Sequence, residues 1–169
     1  MRNLTVNDGV SMLMKRYQRT LSDLEKQRLK KDLPWFGRRR QERTRAIDSG
    51  IIEVYEFEID RIWDINGCHP PCCPHTLLFR TTDGSFVYIE SWQQIEQHNT
   101  EGNESKLRIE STPGGRIVFK TAIEGEARIA HSDRLREFNE FFEIGIEAEW
   151  RIYQREELPR EIMTTLETI

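Results

Sequence analysis

The chain has 169 residues, of which 32% are charged and 37% hydrophobic, and its formal net charge is −4. This length allows one domain with a substantial core, spanning residues 1–169, and is short for two. The sequence has no run of about eighteen apolar residues and no charged-then-apolar leader, so it predicts neither a membrane span nor export. Its three cysteines lie within residues 68–73. Because this is not the dispersed framework of a secreted disulfide-rich domain, we expect a reducing, cytoplasmic location.

Charge is distributed unevenly along the chain. Residues 1–48 carry 13 Lys/Arg against 6 Asp/Glu, a charge of +7, whereas residues 49–169 carry 12 against 23, a charge of −11. A basic arm of this kind binds nucleic acid or an anionic membrane, or it packs on an acidic body of the same chain. We favour packing on the body over nucleic acid, because no recognition-helix or aromatic RNA-binding motif accompanies the positive charge.

The basic region, residues 1–48, is predicted to be helical. Asn7 or Asp8 supplies a helix cap, and the helix is expected to continue to about Leu33. Its apolar residues recur at three- and four-residue steps: Val10, Leu13, Met14, Tyr17, Leu21 and Leu24. The sequence therefore predicts one amphipathic N-terminal helix whose apolar stripe is buried.

A break is predicted after this helix. Pro34 removes a backbone donor and Gly37 loosens the chain, so the helix is expected to end before them. Trp35 and Phe36 are interpreted as anchors that hold the break on the body. The arginine-rich stretch that follows, residues 38–45, is expected to lie as a connecting helix over an acidic sheet face.

Residues 50–125 are predicted to form a β core that begins with a long strand. Large apolar residues occur there with the two-residue period of a half-buried strand, at Ile51, Tyr55, Phe57, Ile59, Trp63 and Ile65. Acids mark the wetter face, at Glu56, Glu58, Asp60 and Asp64.

Two turn sequences predict β-hairpins in this core. Asp83-Gly84 is a dipeptide that tight hairpins favour, and Pro113-Gly114-Gly115 supplies the fixed and positive φ values that a chain reversal needs. The hairpins join residues 76–81 to 85–92 and residues 106–112 to 116–123. The polar segment between them, residues 93–105, is predicted to be a loop.

Residues 126–169 are predicted to be a mixed helix and strand region. After a short edge strand at residues 127–130, Ser132 caps a helix whose apolar stripe packs on the sheet. That stripe consists of Leu135, Phe138, Phe141 and Phe142. Residues 144–152 alternate as in a strand. Pro159 starts a last helix, which packs either on the body or on a second copy of the chain.

Five soft or borderline metal ligands lie in one short stretch, at Cys68, His69, Cys72, Cys73 and His75. Thiolate and imidazole suit zinc, and Cu(I) demands less of such a loop because it accepts low coordination. The spacing argues against a closed zinc site, because such sites combine two separated ligand pairs. A further ligand would have to come from His98, His131, a carboxylate or a second subunit. We therefore expect no cofactor, with zinc or copper bound by this cluster as the alternative.

Other candidate residues have structural interpretations. A disulfide from Cys68 to Cys72 or Cys73 is sterically allowed, which makes a thiol-redox response a further alternative. His98 and His131 are interpreted as surface histidines, and an acidic group as solvated surface: Glu137, Glu140, Glu143, Glu147 and Glu149. The sequence contains no Ser/His/Asp arrangement, zinc-protease helix or dinucleotide fingerprint. These patterns favour a chain that is not an enzyme.

Several segments together resemble a family of small, uncharacterised bacterial β-rich domains. They are Gly50-Ile51-Ile52-Glu53-Val54, residues 57–64, the hairpin around Asp83-Gly84, Arg108-Ile109 and Arg116-Ile117-Val118. The resemblance covers roughly residues 47 to 125 and implies a bacterial origin. Members of that family carry an acidic Gly-Pro loop where this chain has residues 68–75, and the resemblance assigns no functional residue.

The sequence thus predicts an α+β fold with an antiparallel, curled or barrel-like sheet of about five strands. An N-terminal helix and C-terminal helices are expected to pack on that sheet. The predicted function is that of a non-enzymatic cytoplasmic interaction or regulatory domain with a protein partner or a second copy as ligand. Metal binding or a thiol-redox response through residues 68–75 is the alternative, and nucleic-acid binding through the basic region ranks below it.

Overall fold

The structure is a computed structural model that describes residues 15–35, 37–67, 72–91, 95–98, 104–142 and 148–169. Within these ranges the strands are β1 (Lys15–Thr20), β2 (Ile51–Asp64), β3 (His75–Thr81), β4 (Phe86–Ser91), β5 (Glu96–His98), β6 (Ser105–Ser111), β7 (Val118–Glu124), β8 (Ile129–His131) and β9 (Trp150–Tyr153). The helices are α1 (Asp23–Lys31), α2 (Arg38–Ser49), α3 (Asn139–Phe142) and α4 (Arg160–Thr168). Two short 3-10 helices, Asp133–Phe138 and Arg155–Glu157, precede α3 and α4.

The longest strand, β2, organises the sheet. Its first half lies between β1 and β6, which are both antiparallel to it. Its second half lies between β3, which is antiparallel, and β8, which is parallel. The sheet follows the order β5-β7-β6-β2-β3-β4-β9, with β1 and β8 as additional neighbours of β2.

A register shift within β2 exchanges the two faces of the strand. The pairing with β3 shifts between Ile59 and Arg61, and an extra residue at a β-bulge turns the following side chains to the other face. Ile59 and Ile62 consequently lie in one core, whereas Trp63 and Ile65 lie in another. The expectation of a single alternating apolar face is therefore wrong beyond Ile59, and it is wrong at Ile51, which is 39% exposed.

The first core lies on the inner face of the curled sheet. It contains residues from six strands: Tyr55, Phe57, Ile59, Ile62, Leu77, Phe79, Val87, Ile89, Leu107, Ile109, Val118, Ile123 and Trp150. Trp150 of β9 packs edge-on against Tyr55 of β2, with ring centroids 4.7 Å apart. The Glu149 backbone N–H donates to the Arg116 carbonyl oxygen at 2.9 Å. The two ends of the sheet thus approach each other, although no strand pairing among the described residues closes it into a barrel.

The outer face of β3, β4 and β9 is covered by the C-terminal helices. Phe142 of α3 stacks on Tyr88 of β4, with ring centroids 5.2 Å apart, and lies edge-on to Tyr153 of β9. Ile162 and Leu166 of α4 are buried in the same second core. Of the two placements expected for the last helix, the structure shows packing on the chain's own body.

The predicted N-terminal helix is wrong over residues 15–20, which form β1. Pairing with β2 satisfies the backbone of this segment, and tertiary pairing of this kind overrides a helical spacing of apolar residues. The helix starts later, because the Ser22 side chain accepts the Glu25 N–H and the Glu25 carboxylate accepts the Ser22 N–H. Of the predicted stripe, Leu21 is buried, but Tyr17 and Leu24 are exposed. Residues 1–14, which hold the predicted cap, lie outside the described residues.

The predicted break between the two N-terminal helices is confirmed. Helix α1 ends at Lys31 and α2 begins at Arg38, with Pro34 and Gly37 between them. The expectation that Trp35 anchors the break on the body is wrong, because Trp35 is 91% exposed. Phe36, its predicted companion, lies outside the described residues.

The predicted antiparallel sheet of about five strands is wrong in strand number and in pairing. Among the described residues the chain is α+β, but its sheet has nine strands and is mixed, because the β2–β8 and β5–β7 pairs are parallel. Both predicted hairpins, β3–β4 and β6–β7, are confirmed. The strands β5 and β8 have three residues each, too few to show a period, and β5 lies in the segment predicted to be a loop.

None of the helices in the described ranges combines the length and the apolar character that crossing a membrane requires.

Candidate functional site

An open cleft of about 760 Å³ lies between the N-terminal helices and the outer face of the sheet. Five cations line it, at Arg19, Arg28, Arg39, Arg43 and Lys120, and five acids, at Glu25, Asp32, Glu96, Glu110 and Glu149. Apolar side chains form its floor, among them Leu21, Ile52 and Phe119. We call this feature the charged cleft.

The floor of the charged cleft holds the helices on the sheet. Leu21, Ile47 and Ile52 are at most 3% exposed and form a small third core with Ala46 and Phe119. Gly50, which ends α2, has φ +70 and places its N–H on the last carbonyls of the helix, as a left-handed C-terminal residue does. The chain thereby turns directly from α2 into β2. This short connection fixes α2, one wall of the cleft, against the sheet that forms the other wall.

On the sheet side, Arg19 of β1 joins two carboxylates. Its Nη2 lies 2.7 Å from Glu110 Oε2 of β6 and 2.8 Å from Glu25 Oε1 of α1. These hydrogen bonds raise the pKa of the Arg19 guanidinium above its ordinary value. The bond from Arg19 lowers the pKa of the Glu25 carboxyl to about 2. Arg19 thus ties the first helix to the sheet across the cleft.

Glu149 closes the opposite side of the cleft. It is 4% exposed, and its Oε2 accepts the Val118 N–H at 2.7 Å while its Oε1 lies 3.1 Å from Arg39 Nε. Burial raises the pKa of the Glu149 carboxyl, and the charges of Arg39 and Arg43 act in the opposite direction. Because both oxygens are engaged, Glu149 is a joint between β7, β9 and α2 rather than an available acid or base.

Arg43 is the most buried cation of the cleft. Its Nη2 donates to the Val118 carbonyl oxygen at 2.8 Å, and its guanidinium lies 5.6 Å from the centre of the Phe119 ring. Burial lowers the pKa of Arg43 from its ordinary value. Glu149 and Arg43 therefore bind the N–H and the carbonyl of one residue of β7, which locks α2 to that strand.

The mouth of the cleft carries its accessible charges. Lys120 Nζ lies 2.8 Å from Glu96 Oε2, and both side chains are 44% exposed. Arg28 of α1 and Asp32, which directly follows α1, are also exposed. The mouth therefore presents both signs of charge, and the half-buried Leu29 and Pro34 add apolar surface to the lining.

These ion pairs confirm that the basic N-terminal region packs on the acidic body. Arg16 pairs with Glu53 at 3.2 Å, Arg19 with Glu110 and Arg39 with Glu149. The interpretation of Glu149 as part of a solvated acidic face is wrong. No local pattern distinguishes it from the exposed Glu137 and Glu140 of that group, because its partners come from α2 and β7.

The predicted metal cluster is described in part. Cys68 and His69 lie outside the described residues. Cys72 is an exposed free thiol, Cys73 is disulfide-bonded, and His75 is the first residue of β3. The expected reducing location would keep the cysteines as thiols, whereas Cys73 is in a disulfide, and a sulfur in a disulfide does not serve as a thiolate ligand. Within the described ranges, no group of three or more His, Cys, Asp or Glu side chains is arranged to hold a metal ion.

The two histidines named as further ligands each face a carboxylate. His131 is 65% exposed, and its Nδ1 lies 3.3 Å from Asp64 Oδ2. His98 is 54% exposed, with Nε2 3.1 Å from Glu96 Oε2. Both are surface histidines, as predicted. Asp64 is only 4% exposed, so its assignment to the wetter face of β2 is wrong; it accepts the N–H groups of Asn66 and Gly67 at the end of the strand.

The chain matches no protein-family model, no curated protein and no solved structure. The resemblance to small bacterial β-rich domains therefore stays a prediction, and the charged cleft has to be interpreted from its own chemistry.

Proposed function

We propose that this chain is a non-enzymatic interaction or regulatory domain that binds a peptide segment of a protein partner in the charged cleft. The observation that carries the proposal is the balance of the lining, with five cations and five acids around an apolar floor. A ligand of a single charge sign meets as much repulsion as attraction there. A peptide that carries both signs and an apolar side chain complements the charged mouth together with the half-buried Leu29 and Pro34 of the lining.

The same balance argues against two other ligands. Pockets for small molecules are lined mainly by apolar side chains with a few polar groups, whereas ten charged residues line this cleft. Nucleic acid requires a surface of one sign, and Arg19, Arg39 and Arg43 already bind groups of the chain itself. Nucleic-acid binding through the basic region consequently ranks below protein binding.

The proposal is tested with three twelve-residue peptides in an NMR titration. One peptide alternates Glu and Lys around a central Leu, one has Glu at all these charged positions, and one has Lys. We expect the mixed peptide to shift the amide signals of Leu29, Phe119 and Lys120 with the strongest affinity. Charge reversal at the mouth, Lys120→Glu, is expected to weaken that binding by about fivefold or more, as the loss of ~1 kcal/mol implies.

Lys106→Glu is the matched control. Lys106 is an exposed lysine of β6 that does not line the cleft, so this variant changes the net charge equally and is expected to bind like the wild type. Equal binding of all three peptides, or equal losses in the two variants, would show that the cleft is not the docking site.

A thiol-redox response remains the second candidate. It is supported by the state of two adjacent residues, since Cys72 is a free exposed thiol and Cys73 is disulfide-bonded. In the redox step, two cellular thiols would reduce this disulfide to two cysteine thiols and would themselves be oxidised to a disulfide. Attack by the Cys72 thiolate would only move the disulfide, with no net oxidation or reduction. Metal binding by Cys68, His69, Cys72, Cys73 and His75 would instead require the reduced form, because the ligand is the thiolate.

Thiol counts, metal content and melting temperature, measured on the same purified protein, distinguish these alternatives. We expect fewer than three reactive thiols per chain before reduction and three after it, with little zinc or copper in the purified protein. Cys72→Ser should then remove one reactive thiol and leave the melting temperature nearly unchanged, as exposed substitutions do. Near-stoichiometric metal in the reduced protein, lost to a chelator together with thermal stability, would favour the metal site.

A cytoplasmic location belongs to the same proposal. It is supported by the clustering of the three cysteines, which is not the dispersed framework of a secreted domain. The disulfide at Cys73 would then belong to the transient, redox-responsive kind that the cytosol allows. Fractionation of cells that express the tagged chain tests it, and recovery from the periplasm or the medium would contradict it.

A further inference from the structure

The turn between α1 and α2 presents a tryptophan to solvent. Trp35 is 91% exposed, whereas Trp63 and Trp150 are 1% and 8% exposed. An indole is costly to leave in water, and it is favoured where one side of the ring is apolar and the other is wet, as at a membrane interface. Trp35 contributes nothing to the three cores, so folding does not explain its presence at this position.

The turn that carries Trp35 is held in place by the chain itself. Arg40 Nη1 donates to the carbonyl oxygens of Pro34 at 3.0 Å and of Trp35 at 3.4 Å. These two carbonyls therefore have a donor that does not depend on water. The indole is thus presented on a backbone whose carbonyl oxygens are already hydrogen-bonded within the chain.

Cations flank Trp35 on both sides. Residues 30–40 contain one acid, Asp32, and five cations: Lys30, Lys31, Arg38, Arg39 and Arg40. Arg39 is engaged with the buried Glu149. The other four are exposed, and the pairs that two of them make, Lys30 with Asp48 and Arg38 with Glu42, are on the surface, where they are weak and screened. We call residues 30–35 and 37–40 the basic tip.

We propose that the basic tip binds the surface of a membrane that contains anionic lipids, with the Trp35 indole in the headgroup region. The cations would contact lipid phosphates and carboxylates, and each contributes about fivefold to the affinity for an anionic surface. A projecting indole would need a matching pocket on a macromolecular partner. A lipid interface accepts the indole without a preformed pocket. One ligand then accommodates both the charge and the indole, and the binding is peripheral.

The proposal is tested by sedimentation with lipid vesicles of pure phosphatidylcholine and of phosphatidylcholine with 30% phosphatidylserine. We expect binding to the anionic vesicles only, weakened by added salt, with a blue shift of the tryptophan fluorescence. Trp35→Ala is expected to reduce the affinity roughly tenfold, as the loss of about 60 Å² of buried apolar surface implies. Lys30→Gln with Lys31→Gln is expected to reduce it by about 25-fold.

Two matched controls separate the tip from general stickiness and charge. Ile169→Ala removes another exposed apolar side chain, and Arg134→Gln with Arg160→Gln removes two exposed cations elsewhere. Both control variants are expected to bind vesicles like the wild type. Only variants whose melting temperature equals that of the wild type are compared. Equal losses in tip and control variants would overturn the proposal. Absence of vesicle binding would also overturn the proposal. This includes the outcome in which the protein does not bind vesicles but uses Trp35 to bind a duplex DNA or a poly-Glu peptide.

Discussion

Two pairs of helices cover the same outer face of the sheet by different means. The C-terminal cover, from Asp133–Phe138 to α4, contributes aromatic and aliphatic side chains to a second core of eleven buried residues, with Phe142 stacked on Tyr88. The N-terminal cover, α1 and α2, shares a third core of only five buried residues with the sheet. Ion pairs join the helices to the rest of the chain: Arg19 of β1 pairs with Glu25 of α1, and Arg39 of α2 pairs with Glu149.

The difference explains why the charged cleft lies beneath the N-terminal helices. Apolar contacts gain stability by excluding water, so they draw two surfaces together until no space is left. Long charged side chains hold two surfaces at a distance and keep their heads near water, which leaves the cleft of about 760 Å³ under the N-terminal helices. The C-terminal cover is thus packed tightly by apolar contacts, and the N-terminal cover borders an open cleft.

The largest expected effect compares one phenylalanine from each cover. Phe142→Ala is expected to lower the free energy of unfolding by about 3–5 kcal/mol, because it opens a cavity among fully buried rings. Phe119→Ala is expected to cost at least about 1 kcal/mol less, since Phe119 borders the open cleft and water can fill the space. Urea unfolding measures both values.

Phe141→Ala is the control for this pair, because Phe141 is 38% exposed beside Phe142 and should cost about 1 kcal/mol or less. If Phe119→Ala were as costly as Phe142→Ala, the two covers would be packed equally tightly and the contrast between them would be wrong.

A smaller effect is expected for the ion pair that fastens α2. Arg39→Gln leaves the buried Glu149 carboxylate without its partner and is expected to cost about 1–3 kcal/mol at neutral pH. Glu149→Gln is expected to cost less, because a neutral amide is easier to bury and its oxygen still accepts the Val118 N–H. Arg38→Gln, which removes only an exposed pair with Glu42, is the control and should cost at most about 0.5 kcal/mol.

The Arg39→Gln loss should depend on pH. Burial raises the pKa of Glu149 above its value in the unfolded chain, and loss of Arg39 raises it further. A group with a raised folded pKa contributes stability below its unfolded pKa and loses that contribution as pH rises through the folded pKa. The difference in the free energy of unfolding between Arg39→Gln and the wild type is therefore expected to be small in acid and to grow towards neutral pH. A difference that stays constant from pH 4 to pH 8 would contradict this role of Glu149.

The smallest effect is expected at Glu25, whose pKa is lowered to about 2, mainly by Arg19. A lowered folded pKa contributes stability above the unfolded value, and the contribution is lost as pH falls from about 4.5 towards 2. Glu25→Gln is expected to flatten the acid side of the stability curve by no more than about 1 kcal/mol, because the side chain is 37% exposed. Glutamine retains the reciprocal cap with Ser22. Glu156→Gln, at an exposed acid of the Arg155–Glu157 helix, should leave the curve unchanged.

Features that depend on a few neighbouring residues followed from the sequence. Asp83-Gly84 and Pro113-Gly114-Gly115 predict the two hairpins that the structure shows, because turn geometry is a property of the turn residues. Pro34 and Pro159 likewise mark the end of one helix and the start of another. The Ser22 and Glu25 capping box was also available in the sequence and would have moved the start of the first helix to its observed place.

Features that depend on distant partners were decided only by the tertiary structure. Residues 15–20 become a strand because β2 supplies their hydrogen bonds, and Glu149 is buried because Arg39 and Val118 meet it there. The same holds for the exposure of Trp35, which depends on whether any part of the body reaches the turn. A sequence pattern records which side chains are apolar or charged. The charged cleft exists because segments far apart in the chain come together, and the basic tip is exposed because no distant segment of the described ranges packs on Trp35.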